Sequence, residues 1–282
     1  MKNVVIDLEK ISTIYKPMSI KTHKGTQGHV LVIGGSYGKV GSIVLCSKAA
    51  LKSGCGLVTA FIPKCGYDVV QISFPEAMVL TDDNEKCISR IEFEMEPTAI
   101  AIGMGMGQEM LTQKAFHQFI KSNEKPLLVD ADGINMLSKN KDWLTLLPEN
   151  SILTPHQKEL ERLVGNWKNN TEKINLAQDF AKKYNLIVVI KGSPTLIVDG
   201  KNQFKNTTGN PALATAGSGD SLSGIITSFM AQSYKPLDAA ILGVYLHGLT
   251  ADIAVPSTSY ESFVASDISE NLGKAFLSLK KK

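Results

Sequence analysis

Cysteine is scarce in this sequence, and the cysteines that are present form no recognisable pattern. The 282 residues include four of them, Cys46, Cys55, Cys65 and Cys87. No two stand as Cys-x-x-Cys, and no nearby histidine completes a zinc pattern. We therefore predict reduced, buried thiols, which are typical of a protein of the cytoplasm, and neither a disulfide framework nor a structural zinc site.

Long apolar runs and a strong net charge are missing as well. No apolar run approaches the roughly 18 residues that span a bilayer, and residues 1–10 lack the apolar core of a signal peptide. The net charge is +3, part of it in the lysines of residues 280–282, which we expect to be a solvated end. No basic stripe typical of nucleic-acid-binding proteins is present. The sequence thus predicts a cytoplasmic protein that binds neither membrane nor nucleic acid.

What the sequence does contain is an alternation of short apolar runs and amphipathic segments. Hydrophobic residues make up 43% and charged residues 20%, which supplies enough apolar material for a sizeable core. Several runs are apolar throughout, which favours strands covered on both faces. The order of strand and helix predicts a three-layer α/β/α fold with a mainly parallel central sheet. No linker or repeat interrupts it, so we expect one domain over residues 1–282.

The predicted elements follow from these runs. Strands are predicted over 29–33, 57–62, 99–102, 127–129, 152–153, 187–190 and 195–198. Helices are predicted over 40–53, 108–120, 158–164, 171–184, 220–232, 236–255 and 264–279. Ligands of such folds collect beyond the carboxyl ends of the strands, so each polar or glycine-rich segment after a strand is a candidate wall of the site.

Two neighbouring segments carry the clearest chemical signal. Residues 206–211 read Asn-Thr-Thr-Gly-Asn-Pro, and residues 215–224 are a glycine-rich turn that opens a long apolar helix. The first amides of a helix have no partners within it, and the helix dipole adds positive charge there. Because glycine carries no side chain, phosphate oxygens can approach the backbone closely. We therefore predict an anion hole formed by Gly217, Ser218 and Gly219.

Asp220 falls in the first turn of this predicted helix and points at the same place. A carboxylate there can accept the proton of a substrate hydroxyl as that hydroxyl attacks a phosphoryl group, and such general-base catalysis contributes roughly 10²–10⁴-fold. The alternative is that Asp220 only caps the helix. The glycines around it favour the catalytic interpretation.

The glycine-rich turn resembles the Gly-Ala-Gly-Asp signature of ribokinase-like kinases, with Ser218 in place of the alanine. The Asn-x-Thr-Gly-Asn pattern of residues 206–210 is similar to that of NAD(P)H-hydrate dehydratases, which repair hydrated nicotinamide cofactors. The resemblance extends from about Lys24 to about His247. It implies a ribokinase-like fold, an adenine nucleotide (ADP or ATP) as the phosphoryl donor, and Mg²⁺.

Two early segments resemble family elements on the side of the hydrated nicotinamide nucleotide. Residues 24–36 are similar to an opening Lys-Gly-x-x-Gly element, the first strand and a Gly-Ser turn. Residues 102–107 resemble a Gly-Pro-Gly-Leu-Gly loop, with Met104 replacing the proline. The resemblance implies that Ser42 and Gly105 contact the hydrate. Residues 34–40 do not have the spacing of a P-loop. Residues 102–107 do not match Gly-x-Gly-x-x-Gly either, and the alternative to a ligand-binding loop there is a plain strand-to-helix turn.

Two central segments resemble further family elements. Residues 129–135 are similar to an Asp-Ala-Asp element at the magnesium end of the site, where Asp130 and Asp132 would act on metal-bound water; the metal ligands themselves stay open. Residues 153–159 are similar to Leu-Thr-Pro-His-Pro-Gly-Glu, with Gln157 and Lys158 as departures. This likeness implies that His156 contacts the hydrate, although a histidine after a proline is commonly a loop or cap residue.

A cationic turn follows the predicted strand 187–190. Lysine is a suitable point charge for a nucleotide phosphate, and the alternative is a solvated lysine in a hairpin. The resemblance places the AMP portion of the nucleotide against a run of residues near Gly219, namely Lys191, Gly192, Ser193, Pro194 and Thr195. His247 lies in an apolar run, where we expect a buried structural role.

Together these likenesses imply an ADP- or ATP-dependent (S)-NAD(P)H-hydrate dehydratase, a carbon–oxygen hydro-lyase of nicotinamide nucleotide repair. Asp220 would activate the added hydroxyl, the nucleotide would phosphorylate it, and phosphate would then leave, so that ADP yields AMP or ATP yields ADP. The residues do not reveal the preferred donor, nor the choice between NADH and NADPH hydrate. We expect a cleft lined by Gly105, His156 and Asp220 and open enough for a dinucleotide beside the adenine nucleotide.

The resemblance also implies partners. Homo-oligomers, and specifically a tetramer, are expected from the family. The dehydratase-like segments begin near residue 24, which leaves no space for the epimerase domain that is often fused in this family. We therefore expect a separate NAD(P)H-hydrate epimerase in the same pathway.

Two alternatives stay open. A ribokinase-like kinase of a thiazole or pyrimidine vitamin precursor would share the Gly-Ser-Gly-Asp turn, although residues 153–156 and 206–210 favour the dehydratase. A nucleotide-binding regulator without chemistry would be expected to lack the catalytic carboxylate, whereas Asp220 is present.

Overall fold

One sheet organises the computed structural model, which describes residues 2–279. Met1 and residues 280–282, where the solvated lysine tail is predicted, lie outside the described residues. Within them the strand order is β1-β10-β9-β8-β7-β6-β5-β2-β3-β4. β9 pairs antiparallel with both neighbours, and the other pairings are parallel. The strands are β1 (Lys2–Ile6), β2 (His29–Ile33), β3 (Leu57–Ile62), β4 (Met78–Thr81), β5 (Ala99–Ile102), β6 (Leu127–Val129), β7 (Ile152–Leu153), β8 (Ile187–Ile190), β9 (Leu196–Val198) and β10 (Asn202–Asn206).

Helices cover both faces of this sheet, which confirms the predicted three-layer α/β fold. The first face carries α1 (Leu8–Ile14), α2 (Gly41–Lys52), α3 (Tyr67–Ser73), α8 (Ser218–Ala231), α9 (Pro236–Ala254) and α10 (Ala265–Leu279). The second face carries α4 (Met110–Ser122), α5 (Asp132–Lys139), α6 (Gln157–Val164) and α7 (Asn170–Tyr184). The central strands β5, β6, β7 and β8 are buried along their whole length, because apolar side chains on both faces meet a helical layer.

The predicted elements agree with the structure where burial is complete. Six predicted strands have the observed bounds, and the seventh begins one residue later, at Leu196. The seven predicted helices agree within two residues at each end. The prediction missed β1, β4 and β10 and the short helices α1, α3 and α5. β1 and β4 lie at the two edges of the sheet, and β10 is largely polar. The sequence of an edge strand or a polar strand is hard to distinguish from that of a loop.

Helix α9 corrects the expectation that no segment is apolar enough to span a membrane. Among the described residues, the stretch Pro236–Ser257 passes by length and composition, with 22 residues and a mean hydropathy of 1.4. It is a core helix, because 72% of its apolar window is buried inside the protein, and it packs against α8 and α10. Polar residues such as Asp238 and His247 interrupt the apolar run, but the mean hydropathy of the whole segment remains as high as that of a membrane-spanning helix.

The cysteines are free, and the prediction of buried thiols is correct for only two of them. Cys46 lies on α2 and Cys55 just before β3, and both are buried. Cys65 and Cys87 are partly exposed because they lie in loops that follow β3 and β4.

Candidate active site

The candidate site lies at one edge of the sheet, where the carboxyl ends of the parallel strands meet the start of α8. Helix α8 contacts β2, β5 and β6, and the loops that follow β5, β6 and β8 approach its first turn. Because neighbouring parallel strands end at the same edge, side chains distant in sequence come together there.

Helix α8 begins in a turn that favours glycine. Gly217 is the N-cap residue, and its φ of +85° lies in the left-handed region. A Cβ on Gly217 would lie 2.4 Å from Cδ1 of Leu45. Asp220 stands in the first turn of the helix without serving as its cap, so the interpretation of Asp220 as a helix cap is not what the structure shows.

The Asp220 carboxyl group is partly buried, and its surroundings shift its titration. Burial raises its pKa to about 7, and the nearby charge of Asp130 adds to the rise. A hydrogen bond with Ser42 and the charge of Lys191 act in the opposite direction. A carboxyl group with a pKa near neutrality is well suited to accept and release a proton.

Lys191 is an ion-paired lysine, not a solvated one. Its Nζ donates to Oδ1 of Asp130 at 2.8 Å and lies 3.9 Å from Oε2 of Glu159. Asp130 is buried, and its Oδ2 accepts a hydrogen bond from Ser223 Oγ at 2.8 Å. Burial opposes the ammonium form, but the charges of Asp130 and Glu159 outweigh it and raise the pKa of Lys191.

The Lys191 ammonium group lies directly beside the start of α8. A Cβ on Gly219 would lie 3.2 Å from Lys191 Nζ and 3.7 Å from Asp130 Oδ2. A side chain at position 219 would therefore displace the ion pair or block access to the helix amides. The geometry brings a cation and the unpaired amides of a helix N-terminus to one place, which suits a phosphate group.

His156 caps helix α6. Its Nδ1 accepts from the backbone amides of Lys158 at 3.1 Å and Glu159 at 3.3 Å, while Glu159 Oε2 accepts from the His156 amide at 2.8 Å. This reciprocal arrangement is a capping box, with histidine in the usual place of serine or threonine. Burial and the charge of Lys191 lower the pKa of His156. Half of its side-chain surface nevertheless stays exposed, so the cap leaves the ring free to meet a ligand.

Three of the four residues predicted to contact the hydrate come together, whereas the fourth, His156, lies beside the residues predicted to bind AMP. Ser36 Oγ donates to the carbonyl of Gly105 at 2.8 Å, and a Cβ on Gly105 would lie 3.2 Å from Cβ of Ser42. Ser42 in turn lies close enough to Asp220 for its side chain to lower the pKa of that carboxyl group. Ser42, Gly105 and Asp220, which are widely separated in the sequence, thus form one wall.

The two carboxylates of the Asp-Ala-Asp element are committed to protein partners. Asp130 holds Lys191 and Ser223, and Asp132 accepts from the Gly107 amide and the Gln108 side chain, both at 2.9 Å. Across residues 2–279 there is no group of three or more acidic, histidine or cysteine side chains that could hold a metal ion. A magnesium site built from protein ligands alone therefore does not fit these residues.

A cavity of about 880 Å³ opens on the other side of the glycine-rich turn. Its lining includes His156, the predicted AMP-binding run from Lys191 to Thr195, the segment from Lys205 to Pro211, Leu213, Ala214, Ser218 and Gly219. Gly105 and Asp220 are not among its lining residues, contrary to the expected single cleft. Ser42 and the cavity-lining Lys191 both lie near the Asp220 carboxyl group, so Asp220 stands between this cavity and the wall formed by Ser42 and Gly105.

Helix α9 contributes Val244, His247 and Gly248 to the cavity lining, and its Asp252, which the sequence prediction missed, holds a loop that lines the cavity. Asp252 accepts from the Gly209 amide at 2.8 Å and from the Asn210 side chain at 2.9 Å. His247 Nε2 lies 3.0 Å from the carbonyl of Ser218 and 3.1 Å from its Oγ, and burial lowers the pKa of His247 to about 4. These contacts agree with the structural role expected for His247. The sequence signal that could have identified Asp252 is the presence of a polar residue in an otherwise apolar helix.

Comparison with known proteins places this geometry in a family. Residues 30–274 match the profile of the NAD(P)H-hydrate dehydratase family. The chain is 35% identical over 257 residues to the bifunctional NAD(P)H-hydrate repair enzyme Nnr of Moorella thermoacetica, covering 87% of this chain and 48% of the relative. The chain thus spans about half the length of several curated relatives that it matches.

Two relatives match along most of their length. The ADP-dependent (S)-NAD(P)H-hydrate dehydratase of Lactococcus lactis is 32% identical over 252 residues, covering 89% of this chain and 90% of the relative. The crystal structure of the ADP/ATP-dependent NAD(P)H-hydrate dehydratase of Bacillus subtilis, co-crystallised with ATP and Mg²⁺, superposes with a TM-score of 0.85 at 25% identity, covering 98% and 99% of the two chains. The family profile spans most of this sequence, and the fold and the glycine-rich site agree with it: the chain belongs to the NAD(P)H-hydrate dehydratase family.

Proposed function

We propose that this protein is a nucleotide-dependent (S)-NAD(P)H-hydrate dehydratase, which returns hydrated NADH or NADPH to the reduced cofactor. ADP yields AMP and phosphate, or ATP yields ADP and phosphate. The observation that carries the proposal is Asp220, a carboxyl group with a pKa of about 7 at the glycine-lined start of α8, between a cavity and the Ser42–Gly105 wall.

The chemistry follows from the position of that carboxylate. Asp220 accepts the proton of the hydroxyl that hydration added to the nicotinamide ring, and the hydroxyl oxygen attacks the terminal phosphoryl group of the nucleotide. The phosphorylated ring then loses phosphate through cleavage of the carbon–oxygen bond, and loss of a ring proton restores the double bond. Phosphate is a far better leaving group than hydroxide at neutral pH, which is why a kinase-like site serves a dehydration.

The nucleotide fits the cavity beside Lys191 and Gly219. The backbone amides of Gly217, Ser218 and Gly219 face the transferred phosphoryl group, where such donors are most effective because they are already oriented. We place the AMP portion against residues 191–195, because they line this cavity. Lys191 needs no reorganisation there, since Asp130 already orients it.

Magnesium, in this proposal, enters on the nucleotide. Mg²⁺ keeps several waters and binds through substrate phosphates with few protein ligands, which agrees with the commitment of Asp130 and Asp132 to protein partners. In this proposal Asp130 and Asp132 contact the ion through its bound water and keep their present hydrogen bonds. We also propose a homo-oligomer in the cytoplasm.

A vitamin-precursor kinase is the second candidate, and the matched family makes it the weaker one. The deciding assay incubates purified protein with hydrated NADH and ADP or ATP and follows the absorbance of the reduced nicotinamide. We expect absorbance to recover, with one phosphate released per cofactor, and a thiazole alcohol to stay unphosphorylated. Phosphorylation of the thiazole or a pyrimidine without any recovery of reduced nicotinamide would leave the fold intact and reject the proposed function.

A further inference from the structure

Asp220 has a cavity on one side and an open surface on the other. The cavity extends from the first turn of α8 toward β8 and β10, whereas Ser42, which also lies near the Asp220 carboxyl group, is at the start of α2 and does not line the cavity. When the donor nucleotide fills the cavity, the remainder of a dinucleotide that presents its hydroxyl to Asp220 has to leave the opposite way. That direction leads past Gly105 to the loop that follows β2.

The loop after β2 is firmly held. The Lys39 amide donates to the Ser36 carbonyl at 2.8 Å, and the Tyr37 amide donates to the carbonyl of Lys86 at 2.8 Å. Ser36 Oγ ties the same loop to Gly105. The backbone of Tyr37 is therefore fixed relative to the hydrate wall, and no rearrangement is needed to present its side chain.

Tyr37 presents an aromatic ring to solvent at this point. The residue is 71% exposed, and Lys86 Nζ lies 5.7 Å from the centre of one face of the ring, which leaves the other face open. A cation over one face is a favourable arrangement, and an exposed rigid ring is the usual platform on which a nucleic-acid base stacks. Ser42 lies five positions after Tyr37, a span of at most about 18 Å, which is within the reach of an extended dinucleotide.

Lys39 lies between Tyr37 and Ser42 in the sequence. Its side chain is exposed, and its backbone carbonyl packs against Gly105, where an added Cβ would approach to 2.6 Å. A ligand stretched from Ser42 to Tyr37 would carry its diphosphate past this lysine, and lysine is a suitable point charge for phosphate.

We propose that Tyr37, backed by Lys86, is the binding subsite for the adenine half of the hydrated dinucleotide, with Lys39 beside the diphosphate. This inference rests on the proposed function, because it takes the hydrate as the ligand that faces Asp220. It predicts that Tyr37 recognises a part of the substrate that does not react.

The test compares two substrates that differ only in that half. Hydrated NADH carries the adenosine phosphate, and hydrated reduced nicotinamide mononucleotide lacks it. For Tyr37→Ala we expect the KM and the dissociation constant of hydrated NADH to rise about tenfold, as for loss of one base-stacking contact, with kcat retained. Values for the mononucleotide hydrate should not change, and Tyr37→Phe should behave like the wild type. Lys86→Ala should weaken hydrated NADH alone, whereas Lys114→Ala, an exposed lysine on α4, should change nothing.

Calorimetric titration of both hydrates decides the subsite without turnover. Equal losses for the two hydrates in Tyr37→Ala, or no loss for hydrated NADH, would overturn the subsite while leaving the dehydratase assignment standing. A wild-type protein that turns over neither hydrate would overturn the proposed function instead. The titrations would still show whether Tyr37 contributes to binding of hydrated NADH. Circular dichroism and a thermal melt of each variant establish that the fold is intact.

Discussion

The Nζ of Lys191 and Oδ1 of Asp130 are 2.8 Å apart, so the lysine that the sequence offers to the nucleotide is already paired with a buried carboxylate. A paired lysine presents less net positive charge to a phosphate than a free one. Of the lysines that line the cavity, Lys191 and Lys205, Lys205 is the exposed one and lies on β10 beside Leu196.

We expect Lys205 to supply electrostatic attraction for the nucleotide that Lys191 cannot. Lys205→Ala should raise the KM for ADP or ATP several-fold with little change in the KM for the hydrate, and the effect should shrink at high salt because exposed charges are screened. Lys201→Ala is the matched control, since Lys201 is exposed in the turn before the same strand and does not line the cavity. Equal effects of the two variants would rule out a specific role for Lys205.

Lys191 and His156 should divide the two ligands between them. Lys191→Ala is expected to weaken adenine nucleotide binding more than hydrate binding. For His156, which lines the same cavity as Lys191, the family resemblance predicts the reverse. Lys191→Ala also leaves the Asp130 carboxylate buried without its partner, which costs about 3–5 kcal/mol, so its free energy of unfolding should fall. A Lys191→Met, Asp130→Asn double variant removes both charges and should recover much of that stability. Binding isotherms with equal losses for both ligands in both single variants would contradict the division.

Asp220 should be required for turnover rather than for nucleotide binding. Asp220→Asn removes the proton acceptor but keeps the size of the side chain, so kcat should fall by at least about 10²-fold. The dissociation constant of ADP should stay within a few-fold of the wild type. Near-normal turnover in a folded variant would assign the proton transfer to another group.

The pH profile of the reaction should report the same carboxyl group. Because burial and Asp130 raise the pKa of Asp220 to about 7, kcat/KM should fall as the pH drops through neutrality, where the base becomes protonated. The hydrogen bond from Ser42 lowers that pKa, so Ser42→Ala should move this acidic limb to higher pH. An acidic limb that stays in place in Ser42→Ala would show that Asp220 does not control it.

We expect Asp252 to stabilise the conformation of Gly209 and Asn210, which line the cavity. Asp252→Ala removes the acceptor of two hydrogen bonds, from Gly209 and Asn210, and bonds to charged groups contribute roughly 1.5–3 kcal/mol each. The KM for the nucleotide should rise and the melting temperature should fall. Asp179→Ala, at an exposed position on α7, serves as the control for loss of a charge. An unchanged KM in Asp252→Ala would limit Asp252 to a role in stability.

Much of this site could be predicted because its elements are local. The left-handed φ of Gly217 and the first-turn position of Asp220 depend on a few neighbouring residues, as does the start of α6 after His156. The wholly buried strands β5 to β8 could be found because a helical layer on both faces demands apolar side chains throughout, and that pattern is written in consecutive letters.

The pairings across the site were decided by the tertiary structure. Lys191 meets Asp130 over 61 residues, Asp252 meets Gly209 over 43, and Lys2 of β1 pairs with the distant Asn202 of β10. Each of these residues is compatible with an ordinary solvated position when only its neighbours in sequence are considered. Burial of the sheet between two helical layers removes water from these groups, and a buried polar group has to find a partner wherever the packed chain places one. The sequence by itself therefore determined the fold class and the phosphate turn, whereas the folded chain decided which charges remain free to meet a ligand.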